Sequence, residues 1–130
     1  MEFFMEMVPP TVTAQMRRVT VKDGKPMFYK SRELKEARDL FIGELLLHRP
    51  EYPIEGPVSL HTTWLFPTKT HKTGDWRITR PDTDNLQKLL KDCMTETGYW
   101  KDDSQVCIEC IGKLWTRETP GIKIKVERIE

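Results

Sequence analysis

Four carboxylates bracket one helical stretch of this chain. In RPDTDNLQKLLKDCMTETGYWKDD, residues 80–103, Asp82 and Asp84 stand at the mouth of a helix and Asp102 and Asp103 just past its end. A helix that only packs needs one cap. Asp82 or Thr83 can supply it, and Asp84 complements the helix dipole in the first turn; together these are worth under ~2 kcal/mol. That accounts for one acid well and for two adequately. It does not explain why Asp84 stands one turn before Lys88 on a polar face beside a basic loop. Two close carboxylates repel unless a proton or a cation separates them. Mg²⁺ is usually held by one or two carboxylates together with waters and substrate phosphates. The spacing points to a hard divalent cation.

The helix that must carry these acids is legible from its periodicity. Leu86, Leu89, Leu90, Cys93 and Thr97 form one apolar stripe with Met94 on its border, and Gly98 is a natural stop. At about 100° per residue, Asp84, Lys88, Lys91 and Thr95 fall on the opposite side. The far end supplies Asp102 and Asp103 after Tyr99 and Trp100, which anchor the loop by burial. A helix of ~15 residues spans ~22 Å. Asp103 therefore meets Asp82 only if the next strand or the sheet returns toward the helix start, or if the loop folds back.

The remaining elements follow the same logic. Residues 3–8 read as a strand ended by Pro9-Pro10, and residues 11–30 as a basic segment with a hairpin turning at Asp23-Gly24. Ser31 can cap a helix whose stripe is Leu34, Ala37, Phe41 and Leu45, widened by Ile42 and Leu46 and ended by Pro50 and Pro53. Residues 57–66 read as a strand with Val58, Leu60, Thr62 and Trp64 on one face. A long basic loop, 67–81, follows it. Strands over 105–115 and 121–129 close the chain, with a turn at Pro120-Gly121; Ile122, Ile124, Val126 and Arg128 alternate against Lys123, Lys125 and Glu127. The predicted class is α+β, a single domain over residues 1–130 in the order β-α-β-α-β-β, with one mixed or antiparallel sheet and two helices.

Composition narrows the function. The 130 residues are 38% hydrophobic and 32% charged, which fits one soluble domain. No stretch approaches the ~20 apolar residues needed to span a bilayer. The start, MEFFMEMVPP, has acids where a signal peptide needs positive charge, so the expected location is the cytoplasm. Cys107 and Cys110 read as C-x-x-C, but no second pair exists, and strand alternation points them to opposite faces, so a zinc site is not expected. The net charge of +1 is uninformative, whereas its distribution is not. Arg17, Arg18, Lys22, Lys25 and Lys30 face the single acid Asp23, and Lys69, Lys72, Arg77 and Arg80 face the single acid Asp75. Basic loops on a nearly neutral domain suggest a surface for a polyanion. Phe66, Trp76 and Tyr29 are candidate stacking groups there. His61 and His71 are lone histidines suited to surface or sheet positions.

The stretch DTDNLQKLLKDCMTETGYWKDDSQV, residues 82–106, closely resembles the RusA family of Holliday junction resolvases, whose pattern is D-x-D-N-L-x-K, a helix, then G-aromatic-aromatic-x-D-D. Asp82, Asp84, Asn85, Leu86, Lys88, Gly98, Tyr99, Trp100, Asp102 and Asp103 fill every one of those positions. The resemblance implies a Mg²⁺-dependent endodeoxyribonuclease acting as a homodimer on four-way junction DNA. It carries the catalytic acids onto Asp82, Asp84 and Asp103, the metal ligands, and the family's important lysine onto Lys88. Asp102 is the weaker member of its pair. One departure lies after Pro-Pro, where the family usually carries Asn with Tyr and Arg; here PPTVTAQMRRV offers Gln15 and Arg17 or Arg18. Under this reading Lys88 contacts the scissile phosphate or the developing charge. Arg17, Arg18, Lys69, Lys72, Arg77 and Arg80 contact backbone phosphates. A junction of approximate two-fold symmetry needs two acidic sets, which two chains supply. The alternative is a branched-DNA-binding module without cleavage activity, its acids serving as caps.

Overall fold

The computed structural model describes the backbone of residues 1–11, 18–22, 25–29 and 32–130, and the side chains of 1–11 and 32–130. Its strands are β1 (Glu2–Glu6), β2 (Arg18–Lys22), β3 (Lys25–Tyr29), β4 (Val58–Pro67), β5 (Val106–Thr116) and β6 (Gly121–Arg128); its helices are α1 (Arg32–His48) and α2 (Thr83–Glu96). Element types match the sequence expectation, and boundaries differ by a residue or two. The basic hairpin is present as β2 and β3, paired antiparallel with Lys22 opposite Lys25. Its turn at Asp23-Gly24, the cap at Ser31, Gln15 and Arg17 lie outside the described residues, as does the side chain of Arg18.

The main sheet has the order β1-β6-β4-β5, with β5 parallel to β4 and the other neighbours antiparallel. The last two strands are thus not neighbours: after Pro120-Gly121 the chain passes β4 and inserts β6 between β4 and β1. Alternation decides which face is buried. Leu60, Thr62, Trp64 and Phe66 of β4, Ile122, Ile124 and Val126 of β6, and Met5 of β1 are buried, while His61, Lys123 and Lys125 on the reverse side are exposed. Both helices cover the buried face. Phe41 of α1 meets Trp64 edge-on, with ring centroids 5.9 Å apart. Burying each such large apolar side chain contributes roughly 1.5–3 kcal/mol.

On α1 the buried residues are Leu34, Ala37, Phe41 and Leu45, as the stripe predicts. Leu46 is a correction: it is 47% exposed, so the stripe is narrower than expected on that side. On α2, Leu86, Leu89, Leu90, Cys93 and Met94 are buried as expected, and so is Gln87, which the stripe omitted. Inside, Gln87 Oε1 accepts a bond of 2.9 Å from Thr62 Oγ1, which itself accepts from Trp64 Nε1 at 3.0 Å, while among the described residues Gln87 Nε2 has no hydrogen-bond partner. The α2 end is fixed by Gly98 at φ 87° and by Tyr99, whose hydroxyl donates to the Leu45 carbonyl of α1 at 2.6 Å. That carbonyl belongs to the last turn of α1, where no helical partner remains.

Candidate metal and phosphodiester site

Asp82 is the N-cap residue of α2, extended at φ −71° and ψ 149°, and its carbonyl accepts the Leu86 N–H at 3.2 Å. Its carboxylate makes no capping hydrogen bond. The acid expected to be spent on the helix is therefore available at the surface, where Asp82, Asp84 and Lys88 are all exposed. Among the described residues, Asp84 and Lys88 form no ion pair with each other. Two surface carboxylates in the first turn of a helix, with a lysine one turn on, are a suitable half-shell for a hard cation that keeps waters and phosphate oxygens as its other ligands.

The loop before α2 is held along the outer edge of β5. Gly74 N–H donates to the Trp115 carbonyl at 2.9 Å, Trp115 N–H to Asp75 at 2.8 Å, and Arg77 N–H to Lys113 at 2.9 Å, with Trp76 bridging Leu114. Arg77, expected to contact DNA, has its guanidinium 4.2 Å from the Phe66 ring centre and 4.6 Å from that of Trp115. Its Nε donates to Thr79 Oγ1 and its Nη2 to the Arg80 carbonyl. Two of its donors are thus used to shape the loop, and burial lowers its pKa. His71 stacks on Trp115 at 4.8 Å. Phe66, a stacking candidate in the sequence, is only 1% exposed and belongs to the core, whereas Trp76 is 71% exposed. The side chain of Tyr29 lies outside the described residues. Lys69, Lys72 and Arg80 are exposed on this loop, Arg80 being joined to Pro81 by a cis peptide bond next to Asp82.

Lys113 was not among the residues singled out from sequence. Its Nζ donates to the Thr79 and Pro81 carbonyls, each at 2.7 Å. Burial first, then the Arg77 guanidinium, lowers its pKa, while the Asp82 carboxylate acts in the opposite direction. The signal was a cation inside the stripe Ile111, Lys113, Trp115 on the helix-covered face of a strand.

The second acidic pair stands elsewhere. Asp102 caps a 3-10 turn, Asp103–Gln105: its Oδ1 accepts from Ser104 N–H at 2.9 Å, and Gln105 Oε1 accepts in return from the Asp102 N–H at 3.1 Å. The Ser104 bonds hold the Asp102 carboxyl below its usual pKa. Gln105 Nε2 ties the turn to the Ile54 and Gly56 carbonyls, both at 2.9 Å. Capping is therefore the role of Asp102, and Asp103, half-buried, is the next residue in the turn. This end is the start of β5, where Val106 pairs with Val58, whereas Asp82 lies near Lys113, which pairs with Trp64. Seven residue steps along the strand carry Val106 to Lys113, roughly 23 Å. The strand after α2 does return toward Asp82, but it is Lys113 that arrives, and Asp103 stays at the other end of the sheet. Among the described residues, no group of three or more His, Cys, Asp or Glu side chains is close enough to hold a metal ion. Cys107 and Cys110 are exposed free thiols.

The chain matches the family model for the endodeoxyribonuclease RusA over residues 8–127. It belongs to the RusA endodeoxyribonuclease family. The match takes in the basic hairpin, both helices and β4 to β6, so the RusA-like region spans every element that bears a candidate site residue. The chain is 32% identical over 108 residues to the crossover junction endodeoxyribonuclease rusA of Lactococcus phage r1t, covering 81% of each chain. It is 30% identical over 94 residues to the uncharacterized protein YqaN of Bacillus subtilis strain 168, covering 63% of this chain and 65% of that one. No helix among the described residues of this RusA family member is long and apolar enough to cross a membrane.

Proposed function

We propose that the chain, acting over residues 1–130 as one endonuclease unit in the cytoplasm, cuts four-way DNA junctions as a Mg²⁺-dependent homodimer that makes paired symmetric nicks. The observation that carries this reading is the surface presentation of Asp82, Asp84 and Lys88 at one end of α2 in a chain that matches the family over residues 8–127. Asp82, Asp84 and an Asp103 would hold the ion. Bound there, it would supply an activated water and neutralise phosphate charge. Lys88 faces the scissile phosphate from one turn along the helix. Arg80, Lys69 and Lys72 bind backbone phosphates on either side, giving affinity with little sequence choice, and Arg17 and Arg18 add further phosphate contacts.

The separation of Asp103 from Asp82 supports completion of the site by a second copy. β5 is an edge strand. Its C-terminal half is covered by residues 74–77, while Cys107, Ile108, Glu109 and Cys110 of its N-terminal half are exposed. Such an open edge is a template for antiparallel strand pairing. Ile108 is five residues from Asp103 and five from Lys113. A two-fold axis near Ile108 would bring Asp103 of the partner subunit to the Lys113 end of β5, beside Asp82 and Asp84, and would do so twice. Two complete acidic sets would then serve the two strands of one junction.

Mixing two inactive chains tests this. Asp82→Asn and Asp103→Asn homodimers should each fail to cleave in Mg²⁺ while still binding a synthetic mobile junction. If the acids act across the dimer, one of the two centres in a mixed dimer keeps all its carboxylates, and nicks return without paired resolution. If each centre is built from one chain, both centres of the mixed dimer are broken and no nicks appear. Junction binding by the parent chain without any Mg²⁺-dependent cut would instead favour the binding-module alternative.

A further inference from the structure

Lys113 is an unusual occupant of its position. It projects from β5 on the helix-covered face, in register with Trp64, whose side chain is fully buried. Partly buried on that face, its ammonium gives up some of its hydration and gains compensating bonds. Among the described residues Lys113 forms no ion pair. Its acceptors are two backbone carbonyls, of Thr79 and Pro81, which bracket Arg80 and immediately precede Asp82.

We propose that Lys113 is the positioning residue for the acidic helix start: it fastens the 79–82 backbone to the sheet and stands as a resident cation beside Asp82. Its catalytic consequence rests on the nuclease reading above; its geometry does not. The Asp82 carboxylate makes no capping bond, so its position comes from its backbone. Within residues 79–81 the other anchor is the Arg77 side chain, which bonds Thr79 and Arg80 but belongs to the same loop and moves with it. Lys113 belongs to the sheet. It also grips the loop through its own main chain, whose carbonyl accepts the Arg77 N–H at 2.9 Å. An ammonium has three donors, so two carbonyl bonds leave one for the side facing the acids. The Asp82 carboxylate is near enough to interact with the ammonium charge before any ion binds.

Lys113→Met keeps the aliphatic stem and removes the donors and the charge; Lys113→Arg keeps both. In the full-length chain, Lys113→Met should raise amide exchange over residues 78–84 while 86–94 and β6 keep parental protection, and Lys113→Arg should not. On a mobile junction in Mg²⁺, Lys113→Met should lower kcat on the order of 10²-fold, the scale expected for misplaced catalytic groups. Its KM should stay within about twofold of the parent and Lys113→Arg should recover most of the loss. Parental kcat, parental exchange over 78–84, or a change in KM alone would each overturn the proposal, the last indicating an ordinary phosphate contact. Should Lys113→Met not fold, the parent decides. A slowly exchanging Lys113 ammonium resonance, identified by its loss in Lys113→Arg, is expected, and a fast-exchanging one rejects the two carbonyl bonds. A parent that never cuts junctions sinks the nuclease reading, while the exchange measurement still judges the positioning role.

Discussion

Tyr99 shows how one polar atom joins two helices. Its ring is buried beyond the end of α2, and its hydroxyl satisfies a carbonyl in the last turn of α1. Burial raises its pKa above the ordinary tyrosine value of about 10. The folded state therefore favours the neutral phenol more than the unfolded chain does. That contribution is complete below pH ~10 and is lost as pH rises from there through the folded-state value. Replacing Tyr99 by Phe should cost about 1 kcal/mol at pH 7, the scale of one net hydrogen bond, and should flatten the alkaline loss of stability. Urea midpoints measured from pH 7 to 11 check both parts; an equally steep decline in the variant would reject the role of Tyr99. At this scale the sequence was informative about residue type and weak about use. Asp82 and Asp102 both stand where caps belong, yet only Asp102 spends its carboxylate on capping. Side-chain torsions decide that, and they leave no mark on spacing. Arg77 and Phe66 likewise looked like free DNA-facing groups until tertiary contacts with Trp115 accounted for them.

At the scale of elements, helices were readable because their stripes repeat over several turns. The α2 core residues follow from 3.6-residue periodicity alone, and Gln87 escaped because its burial depends on Thr62, a partner on another element. Sheet order was not readable. Alternation marks a strand's two faces but not its neighbours, so nothing local announced that β6 would enter between β1 and β4 or that β5 would lie parallel to β4. The position of Asp103 at the far end of the sheet depends on that order, which is why sequence left several routes open. The entry of β6 also places Gly121 between two strands, opposite Glu6 of β1 and Leu65 of β4. A Cβ there would overlap the Phe4 ring and the Met5 carbonyl oxygen. Gly121→Ala should therefore destabilise the fold by roughly 1–3 kcal/mol, the usual cost of overpacking. Thermal and chemical denaturation read this directly, and an unchanged midpoint would mean that β1 can move aside.

For the molecule as a whole, the governing feature is that Asp103 and Asp82 stand at opposite ends of one sheet. If two copies pair through the open half of β5, Ile108, half exposed in the single chain, becomes the contact nearest the symmetry axis. Ile108→Lys then sets like charges opposite each other across that axis, an arrangement that destabilises strand pairs. The variant should be a folded monomer by light scattering, with cleavage lost and the Asp82 region unchanged in amide exchange. A dimeric, active Ile108→Lys variant would move the interface elsewhere. Residues 74–77 add a second consequence. Because they occupy the rest of the β5 edge, a second copy could pair only along its N-terminal half. If two copies do pair in this way, the same loop that carries the approach to Asp82 limits how far their strands can lie side by side, so that a border prone to aggregation would serve self-recognition over one short stretch alone.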